Sequence, residues 1–360
     1  MSDSRTKRLI LTCAAGLSVL LVVIIAGKSA FGKRMDKETE SCPVPVNLNE
    51  TLTNEMSDTS CLAGFDKIVK DYLTYWGIHG ASLSVMRNDS LLFAKGYGEA
   101  DTDKKMGPGN ILRMASVSKL VTAVGIMVLQ ERGLLSIKDH VFGPDGILND
   151  SAYVAAIKDT LYNRITVEDL LRHKGGFSKR GGDPMFSTRW IMMQNGWKEV
   201  PTQEQLMEIQ LKRRVKFVPG TAQEYSNFGY LALSMVIEKV SGMDYETFMQ
   251  ENVLRPIGCV DFHIAGNYYK HKLPNETRYY VQLDDEPAEE FNNSGRKVIR
   301  CYGGNNVTGL SGAGAWAAST PELALLVASI DGRPEVPDII SKESVDQMTE
   351  YFDESTYSLG

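Results

Sequence analysis

The sequence predicts an α+β fold, and two observations carry that reading. Residues 81–86 (ASLSVM) and 90–98 (SLLFAKGYG) read as strands, and the tight turn Arg87-Asn88-Asp89 makes them a hairpin. Beyond the hairpin, helical spacing of apolar residues recurs over about 116–132, 228–241, 244–255 and 320–330. One early hairpin followed mostly by helices leaves the expected sheet short of strands.

The elements follow in order from the N-terminus. Residues 1–8 form a short tail, and from Leu9 to Gly27 no residue is charged. At about 1.5 Å per residue, a helix of that length crosses a hydrocarbon core of roughly 30 Å. Lys28 follows at once and spoils a small-x-small cleavage pattern near Ala30, so an uncleaved signal anchor is favoured over a cleaved, secreted form. Asp3 and the uniformly apolar run disfavour a mitochondrial presequence. Arg5, Lys7 and Arg8 precede the span while Lys28, Lys33, Arg34 and Lys37 follow it, so basic residues do not fix its orientation.

Six N-x-S/T sequons, at Asn49, Asn88, Asn149, Asn275, Asn292 and Asn306, all lie beyond the span and favour a lumenal or extracellular body. Cys13 lies in the span, leaving Cys42, Cys61, Cys259 and Cys301. That even number allows two disulfides, Cys42–Cys61 with Cys259–Cys301 being one of three pairings, and free thiols are the alternative. The expectation is a single-pass membrane protein with a cytosolic tail at 1–8, a span at 9–27 and a polar stalk at 28–62 containing Pro43 and Pro45. The globular body then begins with the helical pattern FDKIVKDYLTYW from Phe65, and Gly133 and Gly242 are expected C-caps further on.

Composition excludes several classes. Of 360 residues, 43% are hydrophobic and 23% charged, and 39 Lys+Arg against 45 Asp+Glu give a net charge of −6. That is an ordinary globular balance, without the basic face of a nucleic-acid binder. The short run Lys212-Arg213-Arg214 with Lys216 reads as a solvated surface. No HExxH, CxxC or P-loop is present, and the histidines at 79, 140, 263 and 271 show no metal-ligand spacing, so no cofactor or metal is expected.

Chemistry concentrates around Lys119. The stretch SVSKLVTAVGIMVLQ from Ser116 is apolar on every face except for Ser, Thr and this lysine, and a helix apolar all round is normally buried. A buried ammonium without a partner costs several kcal/mol, so the amine pairs or loses its proton near neutral pH. Ser116 stands three residues earlier on the same face, and a hydroxyl beside a neutral amine is an activated nucleophile. Tyr225-Ser226-Asn227 follows the turn at Pro219-Gly220 and precedes a helix starting near Phe228. Asn227 suits an N-cap, and Tyr225 suits packing; equally, the phenol suits a proton shuttle and the amide a substrate carbonyl.

These stretches together resemble the serine β-lactamase and penicillin-binding-protein superfamily, in the branch with class C β-lactamases, esterases and LACTB-like animal proteins. The matching segments are LRMASVSKLVTAVGIMVLQERGLLSI, ITVEDLLRHKGGF, FVPGTAQEYSNFGYLALSMVIEKVSG and GAGAWAASTPELALLVASI, in the family's order. The resemblance implies an antiparallel sheet flanked by helices plus a helical subdomain, within residues 63–360. It implies Ser116 as acylated nucleophile, Lys119 as its base, Tyr225 as general acid/base and Asn227 as substrate-orienting amide. The implied substrate is a small-molecule or peptide ester or amide.

The family's loop Leu-Leu-x-His-x-Ser-Gly is altered here to Leu170-Leu171-Arg172-His173-Lys174-Gly175-Gly176, and His173 reads as a loop anchor. The family's third element, Lys- or His-Thr-Gly on a strand after the helix at about 320–330, is not found; Thr308-Gly309 follows Val307 and comes too early. The expectation is a domain lacking its C-terminal strands, with one sheet edge and one apolar face open. The first reading is a membrane-anchored serine hydrolase working by acyl transfer, expected to be weakly active without that element; the alternative is a catalytically silent scaffold or binding ectodomain of the same fold.

Overall fold

The hairpin forms because its turn residues accept the backbone that a tight hairpin demands. β1 (Gly80–Arg87) pairs antiparallel with β2 (Ser90–Asp101), in register from Gly80↔Gly98 to Arg87↔Ser90. Asn88 and Asp89 both take left-handed φ, 46° and 56°, as a two-residue hairpin turn of the favoured twist requires. The structure is a computed structural model, and it describes residues 47–58, 63–179, 182–282, 285–350 and 358–359. The expected span at 9–27, and Cys42 and Cys61, lie outside the described residues.

α1 (Ala63–Trp76) covers one face of the hairpin. Phe65, Val69 and Leu73, four apart, pack on Leu83, Val85, Phe93 and Tyr97, with Phe65 edge-on to Phe93 at 5.4 Å. One flank of α1 is charged and turns toward β2, where Asp66 meets Lys95 at 3.0 Å. The opposite flank exposes Ile68, Tyr72, Tyr75 and Trp76. β3 (Lys104–Lys105) continues the sheet in the order β1-β2-β3, so among the described residues the outer edge of β1 has no strand beside it.

Residues 54–58, within the segment read as a stalk, are fixed to this sheet. Ser57 Oγ donates to the Ala94 carbonyl at 2.9 Å and accepts its N–H at 3.0 Å, serving the backbone groups of β2 that β1 leaves free. Asn54 accepts the Gly96 N–H at 2.8 Å.

A second sheet positions the site. β4 (Leu112–Arg113) and β5 (His263–Ile264) flank β8 (Trp316–Ala318), while β6 (Ala288–Glu289) and β7 (Lys297–Val298) form a separate pair. The main core lies around α2 (Ser118–Glu131) and α3 (Asn227–Ser241), whose Ile126, Met127, Leu129, Tyr230, Leu231 and Ile237 are fully enclosed together with Trp316. α4 (Tyr245–Met249) opens the expected helix 244–255, which passes into a single wider π turn at Gln250–Leu254. α5 (Thr320–Ala328) lies against the hairpin, its Thr320 hydroxyl 2.8 Å from those of Ser82 and Ser84.

Several expectations are corrected. Cys259 and Cys301 are free thiols: Cys259 is buried with its Sγ donating to the Glu322 carbonyl at 3.2 Å, and Cys301 turns instead to the Tyr279 carbonyl at 3.6 Å. Asn227 is not the N-cap of α3; Ser226 is, accepting the Gly229 N–H at 3.1 Å. Of the sequons, Asn88 and Asn149 are exposed. The Asn49 amide donates to Asp261 and Glu322, at 3.2 and 3.1 Å, and the Asn275 amide to Gly109 and Asp261, at 2.5 and 2.9 Å. A glycan on either nitrogen leaves it one N–H and would have to break at least one of its two bonds.

Candidate active site

Ser116 stands where a strand hands over to a helix. Met114 leaves β4 with its N–H on the Trp316 carbonyl at 2.8 Å, and a single 3₁₀ turn, Ala115–Val117, then carries Ser116 to the surface before α2 begins. Ala115 has φ +48°, a left-handed conformation that costs a non-glycine residue about 1–3 kcal/mol and is held by its surroundings. Ser118 pins the junction from below, its Oγ accepting the Trp316 N–H at 3.1 Å.

Lys119, one helical turn on, is 3% exposed. Its ammonium donates to Asn227 Oδ1 at 2.9 Å and to the Ala313 carbonyl at 2.6 Å. It also lies 4.7 Å from the ring centre of Tyr225 and 5.4 Å from that of Tyr230. Burial pushes its pKa down to about 7, against the pull of the Asp183 carboxylate, so the neutral amine is well populated at physiological pH. The Tyr225 hydroxyl donates to Ser116 Oγ at 2.7 Å. Ser116, Lys119, Tyr225 and Asn227, spread over more than a hundred residues of chain, thus meet in one cluster.

The loop at 172–173 holds Tyr225 in place. Gln223 donates to the Arg172 carbonyl at 2.8 Å, Glu224 N–H to the His173 carbonyl at 2.9 Å, and Ser226 N–H to His173 Nδ1 at 3.2 Å. The His173 ring lies 4.4 Å from that of Tyr225. Burial, with the Lys119 and Lys179 cations nearby, lowers the pKa of His173 to about 3, so it stays neutral and accepts through Nδ1.

Two contributors lie outside the candidate residues that the sequence offers. The Ala313 carbonyl belongs to a short turn, Thr308–Ala313, in which Ser311 takes φ 42°. Thr122 fixes that turn by donating to the Gly312 carbonyl at 2.8 Å. Asp183 accepts the Asn227 side-chain N–H at 2.8 Å. Its only signal was an Asp before Pro184, which reads as a cap for the turn Pro184–Phe186, and it does cap that turn.

A hydroxyl on a strained turn, hydrogen-bonded to a phenol that covers a buried amine, has the chemistry to act as a nucleophile. The family model described as Beta-lactamase matches residues 65–358, and the chain belongs to that family. The chain is similar to Penicillin-binding protein 4* of Bacillus subtilis (strain 168), 25% identical over 213 residues, or 52% of this chain and 43% of that one. It therefore spans less than half the length of that relative. Its fold is like that of the octameric penicillin-binding protein homologue from Pyrococcus abyssi, with TM-score 0.59 and 22% identity over 83% of this chain and 64% of that one. It is also like the D-amino acid amidase from Ochrobactrum anthropi SV3 complexed with L-phenylalanine amide, with TM-score 0.60 and 19% identity over 84% and 80%.

Proposed function

We propose that this chain is a serine hydrolase acting on a small ester or amide by acyl transfer. The observation that carries the reading is the 2.7 Å contact of the Tyr225 hydroxyl with Ser116 Oγ, backed by a lysine that burial brings close to neutrality. Ser116 Oγ bonds to the substrate carbonyl carbon while its proton passes to the Tyr225–Lys119 pair. The carbonyl π electrons move to oxygen, then re-form the double bond as the leaving group departs with a proton from Tyr225. Water repeats the sequence on the acyl-Ser116 ester, releasing the acid and restoring the hydroxyl. An amide as substrate is supported by the fold shared with an amino acid amidase. Membrane attachment through the uncharged run at 9–27, with a lumenal or extracellular body, belongs to the same proposal and rests on the sequence.

One observation favours a second reading, a binding domain without turnover. The given stretch contains no Lys-Thr-Gly or His-Thr-Gly, the element that by resemblance to the family lends the developing oxyanion a second backbone donor. Losing one such donor costs on the order of 10²–10³ in rate. A panel of p-nitrophenyl esters and of D- and L-amino acid amides, with Ser116→Ala as control, separates the two. Turnover confined to the wild-type chain supports the hydrolase. Equal, background-level release by both supports the binding domain.

A further inference from the structure

Asp183 lies outside the acyl-transfer steps, yet two hydrogen bonds connect it to Lys119. Its Oδ2 accepts the Asn227 Nδ2–H at 2.8 Å, and Asn227 Oδ1 accepts Lys119 Nζ at 2.9 Å. A carboxylate only accepts and an ammonium only donates, so the amide between them has one workable orientation. Asp183 is itself fixed: its Oδ1 accepts the Met185 N–H at 3.0 Å, and its carbonyl accepts the Ser187 hydroxyl at 2.7 Å.

Among the described residues the charges around the pair are few. Lys179 and the neutral His173 belong to the same loop, Arg213 reaches Gly182 next door, and Tyr225 and Tyr230 present rings to the amine. Of these groups only Asp183 carries a negative charge, and it acts on both Lys119 and Arg213.

We propose that Asp183 is a positioning residue for acyl transfer: its carboxylate locks the Asn227 amide with the oxygen toward Lys119 and holds a negative charge two links from that amine. The inference rests on the acyl-transfer reading for its catalytic meaning. It assigns Asn227 to the relay between acid and amine, with its Nδ2 committed to Asp183. It also makes the loop carrying Asp183 a determinant of the pH at which Ser116 becomes reactive.

The two parts separate by substitution. Asp183→Asn keeps an acceptor for the Asn227 amide and removes the charge, whereas Asp183→Ala removes both. The full chain in detergent, as wild type, Asp183→Asn and Asp183→Ala, is reacted with a fluorophosphonate across pH, with Ser116→Ala as blank. In parallel, the Lys119 signal is titrated by NMR in chain labelled with ¹³Cε-lysine.

Asp183→Asn is expected to label at close to the wild-type plateau rate with its acid limb about half to one pH unit lower, and with the Lys119 midpoint lowered in step. Asp183→Ala is expected to lose on the order of 10–100-fold in labelling rate. An unmoved Lys119 midpoint in Asp183→Asn overturns the proposal, even if Asp183→Ala labels slowly, because a structural role alone would give that slowing. A lowered midpoint in Asp183→Asn, beside a wild-type chain that never labels, would sink the acyl-transfer reading while upholding the link from Asp183 to Lys119.

Discussion

In the proposed acyl transfer Lys119 serves as a base only in its neutral form, so its surroundings set the working pH of Ser116. With burial holding the amine at about 7, acylation of Ser116 is expected to rise with pH through that value and to flatten above it. Lys119→Arg replaces the amine with a guanidinium that stays charged, and is expected to slow acylation by about 10²–10⁴ at every pH tested. Tyr225→Phe removes the group in direct contact with Ser116 and is expected to fall in the same range; stopped-flow release of an acyl reporter measures both. Ser116 and Lys119 were legible in the sequence because a three-residue spacing in an all-apolar helix is a local signal. Asn227 was read as a cap or a substrate ligand, and its engagement with Lys119 and Asp183 was not legible. Asp183 reaches it across 44 residues by loop closure, which no periodicity encodes.

At the scale of elements, the turn Thr308–Ala313 and the strand carrying His263 make opposite kinds of prediction. A Cβ at Gly312 would come 2.7 Å from Thr122 Oγ1 and 3.0 Å from the Tyr230 carbonyl oxygen. Gly312→Ala therefore has to shift the turn whose Ala313 carbonyl holds Lys119, and is expected to lower acylation at least tenfold and to lower the thermal midpoint by several degrees. His263 on β5 lies 3.4 Å from Asp261 and 3.6 Å from Glu246. Hydrogen bonds to those carboxylates raise its pKa to about 9. A pKa raised on folding gives stability that is full below about 6.5 and is lost as pH rises through about 9. In urea titrations His263→Gln is expected to be destabilised at about pH 6 and to match the wild type by about pH 10.5. The long elements were readable because helical periodicity needs several turns to show itself, and α1, α2 and α3 provide them. β4, β5 and β8 are two or three residues long, too short to display alternation, so the second sheet escaped the sequence reading.

For the molecule as a whole, the described residues leave the outer edge of β1 without a strand and one flank of α1 apolar and exposed. The sequence predicts an open edge and an open face on a different ground, that the family's third element and the strands around it are not found. Tyr75 is 79% exposed and Trp76 50%, enough apolar surface to promote association between chains. Tyr75→Lys combined with Trp76→Lys is expected to reduce self-association in sedimentation velocity while leaving the thermal midpoint within about two degrees, since neither side chain joins the cluster beneath α1.

The central claim is that Ser116 is an acylated nucleophile served by Lys119. Its most direct test is the intact mass of the full chain in detergent after incubation with a fluorophosphonate, alongside Ser116→Ala and Lys119→Ala. A single adduct on the wild type that maps to Ser116, absent from Ser116→Ala and much reduced in Lys119→Ala, is the predicted result. An adduct that survives in Ser116→Ala, or a folded wild-type chain that stays unlabelled, would contradict it.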